Sequence, residues 1–100
     1  MKWVWTWKGI CFGYVENDNL RTHDGKHVGK LHGEEIYGID GDYLGEVMNE
    51  NRLITCRSKM SWRKGPFAPF AKNAGYAKYA NYAGYAMYAG HEDFPLPESF

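Results

Sequence analysis

Four side chains with reactive or titratable groups recur at intervals of 16 residues along the chain. They are a thiol, an imidazole, a phenol and an amine, at Cys11, His27, Tyr43 and Lys59. If the chain closes into a ring these groups meet, and a thiol beside an imidazole can form a reactive thiolate. The sequence shows no third group to orient the imidazole and no oxyanion hole, so we predict no catalytic residue and no enzyme.

Histidines and aspartates raise the possibility of a metal site. His23, His27 and His32 lie within ten residues of one another, but their spacing matches no standard zinc motif. Asp24 and Asp40 each precede a glycine, where turn chemistry explains an aspartate without calcium. We therefore predict neither a metal nor a cofactor.

These residues belong to an internal repeat of about 16 residues that begins at Lys8. Its second, sixth and tenth positions hold glycine or asparagine, and the fifth and eighth are apolar. The residues that define it are Gly9, Gly13, Asn17, Gly25, Gly29, Gly33, Gly41, Gly45, Asn49 and Gly65. Glycine and asparagine at the tenth position suit a tight turn, so each copy is predicted to be a β-hairpin. The glycine at the sixth position predicts either a bulge, which would bring both apolar positions to one face, or a strand buried on both faces.

A fourth copy starts at Cys56 but is interrupted by Pro66 before its second strand. The strand Trp3–Trp7 occupies the second-strand positions of a copy before the first. We therefore predict that this strand pairs with the chain around Lys59–Trp62 and closes an eight-strand ring. The fold class is thus all-β, a small pseudo-four-fold barrel of four hairpins over residues 1–65 that leaves no edge strand.

The recurring Asp-Gly-x-x-apolar-Gly-x-apolar pattern, with the opening WKGICFGYV and the centre IYGIDGDYLGEV, resembles the four-fold β-flower family of small bacterial barrels. The resemblance covers about Trp3 to Trp62. It implies a shallow barrel of short strands with an apolar middle. Through the similarity of that family to barrels of the tubby kind, it also implies a nonpolar or lipid partner. It supplies no catalytic motif.

Residues 66–100 form a separate Ala/Tyr-rich, low-complexity segment and tail, in which a tyrosine recurs every third residue from Tyr76 to Tyr88. The alanine content favours a helix from about Pro69 to Ala89. A polyproline-like helix, which would line the tyrosines along one edge, and a disordered tail are the alternatives. The final residues, HEDFPLPESF, are predicted to be mobile.

Aromatic side chains are the best candidates for a binding surface. Trp3, Trp5 and Trp7 alternate, so a strand places them on one face, either in the core or on a surface that the C-terminal segment covers. The candidate surface comprises Trp3, Trp5, Trp7, Trp62, Tyr76, Tyr79, Tyr82, Tyr85 and Tyr88.

The composition limits the partners. Twelve basic and twelve acidic residues give a net charge of zero, which argues against nucleic acid. No signal peptide or transmembrane helix is visible, so we expect a cytoplasmic protein that can associate with membranes. The predicted function is a non-catalytic binding module for an apolar ligand, a lipid or a membrane surface. The alternative is self-association into a homo-oligomer through residues 66–90.

Overall fold

The computed structural model describes all 100 residues, and β-strands are its main regular structure. The strands are β1 (Lys2–Thr6), β2 (Cys11–Glu16), β3 (Asn19–Thr22), β4 (His27–His32), β5 (Glu35–Gly38), β6 (Tyr43–Met48), β7 (Arg52–Cys56) and β8 (His91–Asp93). The two helices, Arg57–Lys59 and Pro97–Ser99, are single 3₁₀ turns. Neither has the length and apolarity that crossing a bilayer requires.

The first three copies of the repeat are antiparallel hairpins: β2–β3, β4–β5 and β6–β7. Their turns have the backbone conformation that the tenth position of the repeat suggests. Asn17 and Asp18 have φ of 52° and 61°, and Asn49 and Glu50 have φ of 51° and 69°. In the two-residue turn Asn17-Asp18 this pair of positive φ values is typical of the type I′ turn, whose twist matches that of the flanking strands, whereas Asn49 and Glu50 belong to a three-residue loop.

A bulge in the first strand of each hairpin brings two apolar positions to the core. Between β3 and β4 the register shifts after Leu20, which pairs with Gly29, so that Val28 has no partner. The same shift leaves Phe12 and Leu44 unpaired in the other two hairpins. The bulge, and not a strand buried on both faces, therefore accounts for the pattern. The core comprises Val4, Phe12, Leu20, Val28, Ile36, Val47, Leu53 and Phe94.

The barrel closes with seven strands, because β1 pairs directly and in parallel with β7. The predicted pairing of β1 with Lys59–Trp62, and with it the eight-strand ring, is wrong. Lys59 lies instead at the end of a 3₁₀ turn. Its ammonium contacts Glu35 of β5 at 2.9 Å and Glu46 of β6 at 3.0 Å, which holds Lys59 beside these two strands and away from β1.

The extra strand β8 comes from the tail that we expected to be mobile. It pairs with β7 at Ile54, Thr55 and Cys56, beyond the two residues of β7 that pair with β1. Phe94 follows it into the core, with its ring edge against Phe12 at 5.3 Å between centroids. The C-terminus thus supplies the strand and the core side chain that the incomplete fourth copy lacks.

The predicted helix over about Pro69 to Ala89 is also wrong. Residues 64–88 contain no helix or strand and lie along the outside of the barrel, and we call residues 64–90 the belt. Gly65, which the repeat suggests as a turn residue, lies exposed at its start. Six belt amides donate to barrel carbonyls: Lys64 to Gly41, Phe67 to Ile39, Asn73 to Gly25, Tyr76 to His23, Tyr82 to Gly9 and Tyr85 to Trp7. Donors spaced by multiples of three indicate the three-residue period of the polyproline-like alternative.

Candidate functional site: the tyrosine stripe

The belt follows a nine-residue repeat that matches the 16-residue repeat of the barrel. Lys64, Asn73 and Tyr82 are nine residues apart, and their carbonyl partners in the barrel are 16 residues apart. The donors Phe67, Tyr76 and Tyr85 repeat the same relation one step along the belt. The connections β1–β2, β3–β4 and β5–β6 therefore each hold one nonapeptide in the same way.

The glycines at the second position of the repeat make this close approach possible. A Cβ added at Gly25 would lie 2.3 Å from the carbonyl oxygen of Asn73. Gly9 and Gly41 have the same conflict, at 2.1 Å and 2.2 Å, with belt carbonyls. All three also have φ between 92° and 94°, a conformation that glycine adopts most easily.

Three tryptophans lie on the outer face of the barrel, under the belt: Trp3 and Trp5 in β1, and Trp7 just after it. Trp5 and Trp7 are 5% and 1% exposed. Their indole nitrogens donate to the carbonyls of Ala80 at 3.0 Å and Ala86 at 2.9 Å. Trp5 also stacks on Tyr82, with 4.1 Å between the ring centroids. The belt is thus anchored by both hydrogen bonds and aromatic contacts.

Five belt tyrosines form a row that we call the tyrosine stripe. It comprises Tyr76, Tyr79, Tyr82, Tyr85 and Tyr88, which are 45–55% exposed. The tyrosine hydroxyls that hydrogen-bond within the protein belong to Tyr14, Tyr37 and Tyr43, so the five hydroxyls of the stripe are free. Each ring is therefore held on one side by the barrel and can offer a hydroxyl and an apolar edge to a partner.

Arg52 supports the middle of the stripe from below. Its guanidinium carbon lies 4.2 Å from the ring centroid of Tyr85 and 5.4 Å from that of Tyr82. The same group donates to the carbonyls of Trp7 and Ala83 at 3.1 Å and 2.9 Å. This buried cation links β7, the residue that follows β1 and the belt, and holds the two rings in place.

The charge of the belt is uniform in sign. Residues 64–90 include Lys64, Lys72 and Lys78 and no aspartate or glutamate, although the whole chain is neutral. Lys72 lies 3.7 Å from the carboxylate of Asp24, and both of these side chains are largely exposed. The aromatic row therefore lies on a positively charged segment.

Trp62 is not part of this surface. The structure brings the other eight predicted residues together, but Trp62 is 46% exposed before the belt begins and contacts the ammonium of Lys59 at 5.1 Å. The sequence reasoning missed Phe67, Phe70 and Arg52. The three-residue aromatic period extends back to Phe67 and Phe70, and this signal could have identified them; no local pattern singles out Arg52.

The predicted ring of reactive groups is divided among separate environments. Cys11 lies under the belt, where its amide donates to the side chain of Asn81, and burial raises the pKa of its thiol. His27 lies under Phe70, and Lys59 is held in its ion pairs. The hydroxyl of Tyr43 donates to Glu46 at 2.7 Å, and burial is the main cause of its raised pKa.

His27 is a neutral latch for the belt. Its Nδ1 accepts the amide of Phe70 at 2.9 Å, and its Nε2 lies 3.0 Å from the carbonyl of Gly29, so the proton is on Nε2. The ring also stacks on Phe70, with 5.4 Å between centroids. Burial, with smaller contributions from Arg21 and Lys30, lowers its pKa below the usual value.

Stability is therefore expected to fall on acidification because of His27. Because folding lowers the pKa of His27, the contribution of this residue to the free energy of unfolding is fully present above about pH 6.5. The contribution is lost as the pH falls through the pKa of the folded state. Protonated Nδ1 would face the donor of Phe70, at a cost of about 1–3 kcal/mol. Urea unfolding between neutral pH and pH about 5 should show this loss in the wild type and in the exposed control His32→Gln, but not in His27→Gln. Equal pH dependence in all three proteins would contradict the latch.

No family model, curated protein or solved structure matches the chain.

Proposed function

We propose that this protein is a non-catalytic binding module that docks on an anionic membrane surface through the tyrosine stripe. The observation that carries the proposal is a row of five half-exposed tyrosines with free hydroxyls on a segment whose only charges are positive. Tyrosine suits the interface between lipid tails and water because its ring is apolar and its hydroxyl is polar. Lysine near an anionic leaflet adds about 1 kcal/mol per residue.

The outer surface supports this function better than the barrel interior does. Core side chains from all three hairpins and Phe94 pack together in the interior, whereas the aromatic groups of the stripe are half-exposed on the outside. Six backbone amides of the belt already donate hydrogen bonds to carbonyls of the barrel. Membrane docking would use only what remains free, namely the tyrosine rims and the ammonium of Lys78.

Flotation of the full chain with lipid vesicles tests the proposal. We expect binding to vesicles that contain phosphatidylserine and much weaker binding to pure phosphatidylcholine. Lys78→Glu should lower binding by about tenfold or more, because it replaces an attraction by a repulsion. Arg57→Glu changes the charge equally at an exposed position outside the belt and should have little effect. Tyr79→Ser should weaken binding while the far-UV spectrum stays unchanged.

Two results would reject the membrane function. One is equal loss of binding in Lys78→Glu and Arg57→Glu, which would indicate a general charge effect. The other is no flotation at all. If sedimentation velocity then shows a discrete oligomer that Tyr79→Ser disrupts, self-association through the same surface replaces membrane docking as the proposed function.

A further inference from the structure

A pocket of about 210 Å³ lies between the start of β4 and the end of β5 and contains none of the stripe residues. Its walls include the apolar side chains of Val28, Leu44 and Phe100 and the backbone of Gly38. The ring of Phe100 stacks on Phe94, at 6.3 Å between the ring centroids. The C-terminal residue thus completes a pocket whose other walls belong to the barrel.

The wall at Gly38 lacks a side chain that other copies of the repeat have. Thr6 and Thr22 are buried at the equivalent positions, and in all three copies the carbonyl accepts the amide three residues ahead at 2.9 Å. Gly38 has no positive φ, so the backbone does not require glycine there. A Cβ added to it would lie 3.3 Å from the Asp40 side chain and 3.5 Å from that of Leu44, and both residues line the pocket. A larger side chain at this position would therefore occupy the pocket, and glycine leaves it open.

The polar groups of the pocket leave a charged ligand without a buried partner. His27, in the wall, uses both ring nitrogens within the protein, on the amide of Phe70 and the carbonyl of Gly29. Lys26 and Asp40 have opposite charges, are exposed to water and make no ion pair, so the lining has no net charge. Moving a charge out of water without a partner costs free energy. The apolar walls therefore favour an uncharged ligand.

We infer that this pocket binds a small uncharged molecule with a single aromatic ring. An apolar cavity of about 150 Å³ takes up benzene, so the larger volume here accommodates a ring with one short substituent. The ring of Phe100 offers an edge or an offset face to such a molecule. The remaining affinity comes from the apolar area that Val28 and Leu44 remove from water. Because no membrane takes part, this site is separate from the docking surface.

Titration of the isotope-labelled full chain with toluene, followed by NMR, tests this inference. A ligand of this size is expected to bind with a Kd of about 1 mM. The shifts should centre on Val28, Gly38 and Leu44. Phenylacetate and benzylammonium carry opposite charges on the same ring, and both should bind about fivefold more weakly than toluene or worse. Lys26→Met removes a charge but no wall, and should leave the affinity for toluene within about twofold.

Two substitutions that fill the pocket should abolish binding. Gly38→Thr adds the side chain that Thr22 has at the equivalent position. Leu44→Phe adds the ring that Phe12 has, since both residues are the unpaired bulge residues of their hairpins. Because other copies of the repeat hold these residue types at these positions, both variants should fold, and their amide spectra report whether they do.

Each contrary result overturns the inference. Toluene binding that persists in either folded variant places the ligand elsewhere, and tighter binding of either charged probe rejects the uncharged class. Shifts centred on the stripe tyrosines would place toluene on the membrane-docking surface. Gly38→Thr should still float with vesicles, because Gly38 lies outside the stripe, so each proposal can fail without the other.

Discussion

Replacing Phe94 by alanine is expected to lower the free energy of unfolding by about 3–5 kcal/mol. The side chain is 2% exposed and packs against Phe12 and Phe100 in the core. It occupies space that Gly45 leaves, since a Cβ there would lie 2.6 Å from the Phe94 ring. For a domain with a total stability of about 5–15 kcal/mol, this loss is a large fraction.

Leu96→Ala is the matched control for Phe94→Ala. Leu96 lies two residues further along the same segment but is exposed, so its loss should cost less than about 0.5 kcal/mol. Urea unfolding of both variants gives the comparison. If the two variants are equally stable, the tail does not complete the core in solution. Amide exchange at Arg57, whose amide donates to the carbonyl of Gly90 just before β8, would show whether β8 also separates from β7 in Phe94→Ala.

The second large effect is expected from Gly25→Ala, which should detach the middle of the belt. Strain at φ 94° costs about 1–2 kcal/mol, and the new methyl group also displaces the Asn73 backbone. Losing the Asn73 amide bond to Gly25 should add about 0.5–1.5 kcal/mol. Faster exchange of the Asn73 and Tyr76 amides is the direct measurement.

Gly33→Ala separates the two causes. Gly33 has φ 64°, but nothing lies within 4 Å of the Cβ that alanine would add. This variant should show the strain alone and leave belt exchange unchanged. Equal effects of the two substitutions on both stability and belt exchange would show that the belt does not pack on Gly25 as described.

The hairpins could be predicted because their determinants are local. Asn17, Gly33 and Asn49 each favour a turn within a few residues of the strands that they join. Apolar residues at the fifth and eighth positions could be assigned to the core only once Val28 and its equivalents proved to be bulged. The candidate aromatic surface was also visible, because both Trp3–Trp7 and the tyrosines have short, regular spacings.

The belt and β8 could not be predicted from local patterns. Alanine has the highest intrinsic helix propensity, so the segment favours a helix when it is considered alone. Its amides instead find partners far away in sequence, such as Tyr85 with Trp7. Strand β8 has three polar residues, His91–Asp93, and pairs only because β1 leaves part of the β7 edge free. Contacts of this kind override propensity.

The sequence by itself determined the repeating unit, the positions of its turns and the common face of Trp3, Trp5 and Trp7, because these depend on neighbouring residues. The tertiary structure alone decided how the ring closes, which segment completes the core, and that the tyrosines form one exposed stripe. Those outcomes depend on which strand edges and carbonyl groups remain unpaired after the hairpins have formed. The physical reason is that buried backbone N–H and C=O groups need hydrogen-bond partners, and here a segment far away in sequence supplies them. Which segment does so depends on how the whole chain packs.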